Sequence, residues 1–150
     1  MELSVSVEVD APRQTVWDQL VDWETQSDWM VDAKSVEVVS EQRSGRGVTI
    51  HVPTNLLGVT VLDIMRVTEW REPEWLEVEH LGKVITGRGA FELQELGEQR
   101  TRVVWHEWID PPLGAFGRWG AKTFVKPFTE RLFGRSLDNL ARLAEDRAAG

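Results

Sequence analysis

The feature that most constrains the fold is the order of two sequence patterns. About a hundred residues with the period of a β-strand precede one long stretch with the period of a helix. Apolar and polar residues alternate in the first part, whereas residues 114–150 carry apolar residues at helical spacing, interrupted at Pro127 and Gly134. An antiparallel sheet with one apolar face then has a single long helix to cover it. A curved sheet closing around one helix leaves space beneath it, so the pattern predicts a container for an apolar small molecule.

The strand pattern divides into about seven strands and two short helices. The first strand covers residues 3–9, and a helix of two to three turns begins at Pro12 behind a capping Asp10. A second short helix is predicted at residues 23–30. Six more strands follow, at residues 35–40, 48–52, 58–70, 74–80, 82–96 and 100–109. The predicted class is therefore α+β, with an antiparallel sheet and no parallel crossovers, in a single domain over residues 1–150.

Composition excludes several classes of partner. The net charge of −8 argues against a nucleic-acid partner and against docking on an anionic membrane surface. The chain has no cysteine, and it starts without a basic segment or an apolar leader, so we expect a cytoplasmic protein. No apolar run approaches the roughly 18 residues of a membrane span, and membrane insertion is not expected.

Motifs for metal or cofactor chemistry are weak. The three histidines (His51, His80 and His106) lie in separate predicted strands without a metal-binding spacing, so no metal site is expected. The Gly-Arg-Gly sequences at residues 45–47 and 87–89 open no helix, which argues against a phosphate loop and a nucleotide cofactor. We expect the protein to work without a cofactor.

Charged side chains on apolar strand faces give the candidate polar groups. Alternation in the last strand turns Glu107 inward, and the apolar face of residues 74–80 brings His80 with it. The strand at residues 58–70 is ambiguous, because one face carries Asp63 and the other carries Arg66. An unpaired interior charge is costly, so Glu107 is expected to pair with His80 or Arg66. Three roles are then open for Arg66, His80 and Glu107. They are solvated groups at the strand ends, polar anchors that orient a ligand, or a general acid and base.

The same alternation and the helical stripe identify a set of apolar residues that would line the interior: Trp29, Ile50, Ile64, Leu76, Phe91, Trp105, Phe124, Phe128 and Leu132. Leu56 and Leu57 follow Pro53 in a segment that is expected to be a loop, where leucine is unusual. These two leucines are candidates for a gate that closes over a bound molecule.

Three segments resemble the START-like, or SRPBCC, superfamily and in particular its polyketide cyclase/dehydrase-like branch. The first is the opening at residues 9–22 with Trp29, the second is residues 101–105 in the last strand, and the third is residues 135–140 near the end of the long helix. The resemblance covers essentially the whole chain. It implies a helix-grip fold, in which the sheet curves around the long C-terminal helix.

This resemblance leaves three functions open, because a fold of this kind serves many. The first is binding or carriage of an apolar, lipid-like or aromatic molecule. The second is an enzyme similar to polyketide cyclases, aromatases and dehydrases, in which Arg66, His80 or Glu107 orients and protonates an enolisable substrate. The third is an interaction protein with an unknown protein partner, because residues 111–117 are similar to a subset of the superfamily associated with toxin–antitoxin pairs.

Overall fold

A computed structural model describes residues 1–56, 58–110 and 126–150, and within these ranges seven strands form one antiparallel sheet. The strands are β1 (Glu2–Val9), β2 (Glu37–Val38), β3 (Thr49–Leu56), β4 (Val59–Arg71), β5 (Trp75–Leu81), β6 (Thr86–Gly97) and β7 (Arg100–Asp110). Their order across the sheet is β1-β7-β6-β5-β4-β3-β2. The helices are α1 (Arg13–Leu20), a 3-10 turn (Trp23–Thr25), α2 (Gln26–Trp29) and α3 (Lys126–Ala149). The predicted antiparallel sheet with two short helices after β1 and a long C-terminal helix is confirmed.

Helix α3 lies against the concave face of the sheet. Its buried stripe recurs at helical spacing and consists of Phe133, Ser136, Leu137, Leu140, Ala141 and Ala144. At its C-terminal end, Glu145 accepts a hydrogen bond from the backbone N–H of Asp10 at 2.9 Å. Phe133, about three turns earlier, stacks on Trp105 of β7 at 3.9 Å between ring centroids. The helix therefore runs from the end of the sheet that carries the β3–β4 and β5–β6 turns, called the open end below, to the opposite end, called the base.

Strand β4 carries a β-bulge that explains the ambiguity of its sequence. Its pairing with β5 shifts between Val67 and Glu69. Before the bulge, Asp63 is buried on the concave face together with Val67, and after it Trp70 turns to the same face and meets Trp17 edge-on at 5.2 Å. One extra residue reverses the alternation, so Met65 and Val67 face inward before the bulge and Trp70 faces inward after it.

Three local predictions are corrected by the structure. Strand β3 continues through Pro53 to Leu56 instead of ending at residue 52. It can do so because the Pro53 carbonyl accepts from the Lys34 N–H at 2.9 Å, which places its missing N–H on the side away from β4. The capping role of Asp10 is also wrong, because Pro12 occupies the N-cap of α1 and no side chain caps it. Phe128 does not face the sheet, since it is 52% exposed.

Some predictions lie outside the described residues. They concern Leu57, Phe124, the glycine-spaced segment 113–120 and the start of the long helix at 121–125. Helix α3 is continuous from Lys126 to Ala149 and passes through Gly134 without a break. No helix in the described ranges is long and apolar enough to cross a membrane.

Candidate ligand-binding site

The interior holds a buried histidine between two carboxylates. His80 Nδ1 lies 2.9 Å from Asp63 Oδ1, and His80 Nε2 lies 3.0 Å from Glu107 Oε2. The second Glu107 oxygen accepts a hydrogen bond from Trp105 Nε1 at 3.0 Å. The side chains of Asp63, His80 and Glu107 are all buried. We call Asp63, His80 and Glu107 the carboxylate–histidine unit.

Strand register brings this unit together from three strands. His80 of β5 pairs with Met65 of β4, two residues beyond Asp63 and on the same face. On its other side, β5 pairs with β6, and Gly89 of β6 lies opposite Glu107 of β7. A side chain at Gly89 would collide with the carboxylate, because a Cβ there would lie 2.5 Å from Glu107 Oε1. Glycine at this position therefore makes the room in which Glu107 can reach His80 across β6.

The unit holds two bridging protons at neutral pH. Each N···O contact needs one proton, and an imidazole ring supplies both only when it is protonated. Burial by itself lowers the pKa of His80, but the hydrogen bonds and charges of Asp63 and Glu107 outweigh it and raise the pKa to about 10. Burial raises the pKa of Glu107, and the hydrogen bonds from His80 and Trp105 oppose that shift. The unit therefore joins one basic group, the imidazole, to two carboxyl groups.

Asp32 adds a third carboxyl group to this region. It follows α2, and its carbonyl oxygen accepts the N–H of Asn55 at 2.8 Å, which ties the connecting segment to β3. Burial raises the pKa of Asp32 to about 6; a hydrogen bond from its own backbone opposes the shift, and the charges of Asp63 and Glu107 add to it. Asp32 therefore changes its charge close to neutral pH beside the carboxylate–histidine unit.

Four aromatic side chains lie next to the unit and are called the aromatic wall: Trp29, Phe91, Trp105 and Phe133. Phe133 stacks parallel to Trp105 within 2°, and Phe91, on the neighbouring strand β6, lies 4.8 Å from Trp105. Trp29 meets both Phe91 and Trp105 edge-on at 5.9 and 6.1 Å. The Trp105 hydrogen bond to Glu107 joins this wall to the carboxylate–histidine unit.

Small accessible areas mark the open-end half of the interior. Residues around the unit and the wall keep a few per cent of their surface accessible, among them Met65 at 8%, Phe91 at 7% and Phe133 at 6%. The interior residues toward the base, such as Val9 and Leu140, are 0% exposed. The polar unit and three of the four wall residues therefore keep a small accessible area, whereas Trp29 is fully buried.

The residues predicted to line the interior fall into three groups. Trp29, Ile50, Leu76, Phe91 and Trp105 are buried in the core, and Leu132 packs against it while partly exposed. Ile64 lies on the opposite face of β4 from Asp63 and is half-buried, and Phe128 is exposed on α3. Leu56, the described member of the predicted gate, ends β3 and pairs with Val59 across the turn.

The candidate polar residues are also divided. Two partners were predicted for Glu107, and in the structure it contacts His80. Arg66 is exposed on the outer face of β4 and pairs in register with Thr49 and Glu79, away from the unit. Asp63 takes the interior position instead. Its sequence signal was the set of valines and the methionine that share its face of the strand.

Two site residues had little or no signal in the sequence. Asp32 lies in a connecting segment, where no periodicity assigns a face. Phe133 belongs to the apolar helical stripe, but only the packing of α3 distinguishes it from Phe128 as the ring that meets Trp105. No group of three or more His, Asp or Glu side chains among the described residues is arranged to hold a metal ion.

Comparison with solved structures places this fold among known proteins. The chain superposes on the protein TTHA0849 from Thermus thermophilus with a TM-score of 0.82 at 19% identity, covering 96% of this chain and 97% of that one. The Zhui aromatase/cyclase from Streptomyces sp. R1128 gives a TM-score of 0.81 at 19% identity, covering 100% and 98%. A START superfamily protein from Mycobacterium smegmatis gives 0.68 at 20% identity, covering 99% and 97%. At these identities the likeness shows the fold.

Sequence comparison supplies the family. No curated protein sequence matches this chain. A family model described as "Polyketide cyclase / dehydrase and lipid transport" matches residues 1–145, almost the full length. This match shows that the chain belongs to the polyketide cyclase/dehydrase and lipid transport family.

Proposed function

We propose that this protein binds an apolar small molecule between the sheet and α3, with the aromatic wall as the apolar surface and the carboxylate–histidine unit as the polar anchor. The observation that carries the proposal is the burial of this polar unit beside an aromatic wall, where Asp63, His80 and Phe91 keep a few per cent of their surface accessible. Apolar residues often replace a buried ion pair with no loss of stability. A buried polar group at the end of an apolar space is instead the usual anatomy of a ligand site.

Charge restricts the polar end of the ligand. The carboxylate–histidine unit has two carboxyl groups and one basic group, and the pKa of Asp32, about 6, leaves that third carboxyl largely ionised at neutral pH. A ligand carboxylate placed there would be repelled, whereas a hydroxyl, enol or amide N–H would donate a hydrogen bond to an oxygen. We therefore infer a ligand with a neutral hydrogen-bond-donating end.

This ligand class predicts a difference in thermal stabilisation. A long-chain alcohol, a sterol or a planar polyphenol should raise the Tm of the protein, and a fatty acid of the same chain length should raise it less. A ligand at 100 times its Kd adds about 2.7 kcal/mol, which corresponds to about 5–10 °C for a domain of this size. A thermal-shift titration measures both. Absence of any shift across the panel would contradict the proposal, and equal shifts for alcohol and acid would contradict the inferred polar end.

Tryptophan fluorescence tests where the ligand lies. Trp105 is part of the wall, whereas Trp75 lies half-buried on the outer face of β5, where its Nε1 donates to Glu77 at 3.2 Å. With a quenching aromatic ligand, Trp105→Phe should remove most of the ligand-dependent fluorescence change. Trp75→Phe is the matched control and should retain it. A similar response in the two variants would place the ligand elsewhere.

Proton transfer on an enolisable ligand is the second candidate function, and the pKa of Asp32 favours it. A carboxyl group that titrates at about 6 beside a site for a hydroxyl or enol has the acidity of a general base near neutral pH. Deuterium exchange at the α-carbon of a planar β-diketone would detect this activity. Its rate should rise as the pH passes through about 6 and disappear in Asp32→Asn. An unchanged rate in that variant would leave binding as the function.

A further inference from the structure

We propose that Ser4, His106 and Glu92 form a second site, on the outer face of the sheet, where Ser4 is the nucleophile for acyl transfer from aryl esters. Ser4 Oγ lies 2.8 Å from His106 Nδ1, and His106 Nε2 lies 3.3 Å from Glu92 Oε1. A hydroxyl, an imidazole and a carboxylate joined in this order form the arrangement that activates a nucleophilic serine. We call these three residues the outer triad.

Strand order brings the outer triad together from distant parts of the chain. Ser4 and His106 are 102 residues apart, but β1 lies beside β7 and the two residues are directly opposite each other. Met1 and Ile109 exchange both backbone hydrogen bonds, so by alternation Ser4 and His106 form a non-hydrogen-bonded pair. Side chains approach more closely in pairs of this type, which explains the short contact between Oγ and Nδ1.

Glu92 determines which nitrogen of the imidazole can act as a base. Hydrogen bonds from Gln94 and His106 outweigh burial and hold the pKa of Glu92 below its usual range, so this carboxylate only accepts hydrogen bonds at neutral pH. His106 Nε2 therefore carries the proton that it donates to Glu92, and Nδ1 has a lone pair for the Ser4 hydroxyl. The other Glu92 oxygen accepts from Gln94 Nε2 at 3.0 Å, which fixes the carboxylate.

Two indole rings restrict the imidazole of His106. Trp108 lies two residues further along β7, with its ring centroid 5.7 Å from that of His106 and the two planes within 14°. The ring of Trp75 on β5 lies 5.9 Å from the same imidazole. It reaches across β6 because Ala90, which lies opposite His106, has only a methyl group. The imidazole is therefore held where it contacts both Ser4 and Glu92.

The outer triad is separate from the carboxylate–histidine unit. Glu107 follows His106 in β7 and points to the concave face, so the sheet lies between the two sites. Ser4 is exposed, and the side chains of His106 and Glu92 keep 23% and 35% of their surface accessible. A substrate can therefore reach the outer triad without entering the interior.

The positions of these groups define the reaction. Ser4 Oγ attacks the carbonyl carbon of the ester while His106 Nδ1 takes the hydroxyl proton, and the Glu92 carboxylate stabilises the imidazolium. His106 then gives this proton to the departing aryloxide, which leaves as a phenol, and an acyl-serine remains. Water hydrolyses the acyl-serine with His106 as the base, which releases the carboxylic acid and restores the Ser4 hydroxyl. The Ser6 hydroxyl is a donor for the oxyanion, because it is exposed on the same face and has no partner among the described residues.

A groove beside Trp108 indicates the leaving group. The groove has a volume of about 730 Å³ and extends from Trp108 over β5 and β6. Arg88 lies over the Trp108 ring at 4.3 Å, and its side chain is 55% exposed. A planar guanidinium stacks on aromatic rings, so the surface formed by Trp108 and Arg88 can hold a flat aryl group. An aryl ester is therefore the substrate class that fits next to Ser4.

Reaction of the full chain, without any ligand, with diethyl 4-nitrophenyl phosphate tests for an activated serine. The Ser4 Oγ–P bond should form as the P–O bond to the aryl group breaks, with release of one nitrophenolate per chain. Peptide mass spectrometry should locate the diethyl phosphate on Ser4. Ser4→Ala should abolish the reaction, and His106→Gln should slow it about 100-fold.

Steady-state hydrolysis of 4-nitrophenyl acetate tests the positioning role of Glu92 and the groove. Glu92→Gln should lower kcat about 10-fold or more and leave KM unchanged, because the carboxylate acts through His106 and does not touch the ester. Arg88→Ala should instead raise KM, because it removes the surface on which the aryl group stacks. A loss of kcat in Arg88→Ala equal to that in Glu92→Gln would contradict the assignment of the groove.

Two matched variants serve as controls. His51 is half-buried on the outer face of β3 and contacts no serine among the described residues, and Ser44 is exposed in the loop before β3. His51→Gln and Ser44→Ala should react as the unaltered protein does, and urea unfolding checks that every variant is folded. Absence of phosphate on Ser4 of the unaltered protein would overturn the proposal, as would modification confined to the Met1 amine or to lysines. Equal rates in His106→Gln and His51→Gln would overturn it as well.

Discussion

Replacing His80 with leucine is expected to lower the free energy of unfolding by about 3–5 kcal/mol at pH 7. The substitution leaves Asp63 and Glu107 facing each other in the interior without the cation that both contact at about 3 Å. Both buried carboxyl groups lose their hydrogen bond to His80, Glu107 keeps only the one from Trp105, and the two repel one another when ionised. Urea unfolding at pH 7 measures the loss. His106→Leu is the control, since His106 is partly exposed on the outer face, and it should cost less than about 1 kcal/mol.

Neutralising the carboxylates should restore most of this stability. In the triple variant Asp63→Asn/His80→Leu/Glu107→Gln no charge remains at the three positions of the unit, so its stability should approach that of the unaltered protein. Recovery would show that the unit is not required for folding, which is the expectation if it serves a ligand. A triple variant as unstable as His80→Leu alone would instead indicate that the unit holds β4, β5 and β7 together.

The free energy of unfolding is expected to depend on pH in a definite direction, first in the unaltered protein and then in His80→Leu. The pKa of His80 is raised from 6.5 to about 10 in the folded state, so its contribution is complete below about 6.5 and is lost as the pH rises through about 10. The raised pKa of Asp32 acts in the same direction, since folding opposes its ionisation and stability falls between 3.8 and about 6. In His80→Leu, acid protonates the facing carboxyl groups. The stability difference from the unaltered protein should therefore shrink as the pH is lowered from 7 toward 5.

Alternation of residue types was sufficient to predict the sheet and the inward faces of β5, β6 and β7, because these strands follow a regular period of two near the site. The same reasoning failed on β4, where the bulge after Val67 brings Trp70 to the concave face. A bulge depends on the partner strand, and no single-strand pattern reveals it. The third member of the carboxylate–histidine unit, Asp63, was therefore left as one of two alternatives.

Segments without a period were the other source of error. Asp32 lies on the connection after α2, and the hydrogen bond from the Asn55 N–H of β3 to its carbonyl ties that connection to the sheet. Pro53 was expected to end a strand, but it occupies the side of β3 that faces away from β4, where its missing N–H costs no ladder bond. Both outcomes depend on the neighbouring segment rather than on the residue itself.

The apolar stripe of α3 was too broad to identify the ring that meets the sheet. Phe128 and Phe133 are five residues apart, which places them about 140° from each other around a helix of 3.6 residues per turn. Phe133 is on the face with Leu137 and Leu140, whereas Phe128 is exposed. Both phenylalanines fit an apolar pattern, and contact with Trp105 separates them.

Phe133→Ala should therefore be among the most destabilising single substitutions on α3. It removes the ring that stacks on Trp105 at 3.9 Å and opens a cavity under the helix, at a cost of about 3 kcal/mol within the usual range of about 3–5. The low end of that range is expected because Phe133 is not fully buried and keeps 6% of its surface accessible. Phe128→Ala is the matched control, and as an exposed substitution it should change the free energy of unfolding by less than about 0.5 kcal/mol. Equal losses in urea unfolding, or a larger loss for Phe128, would mean that α3 is rotated about its axis relative to the sheet.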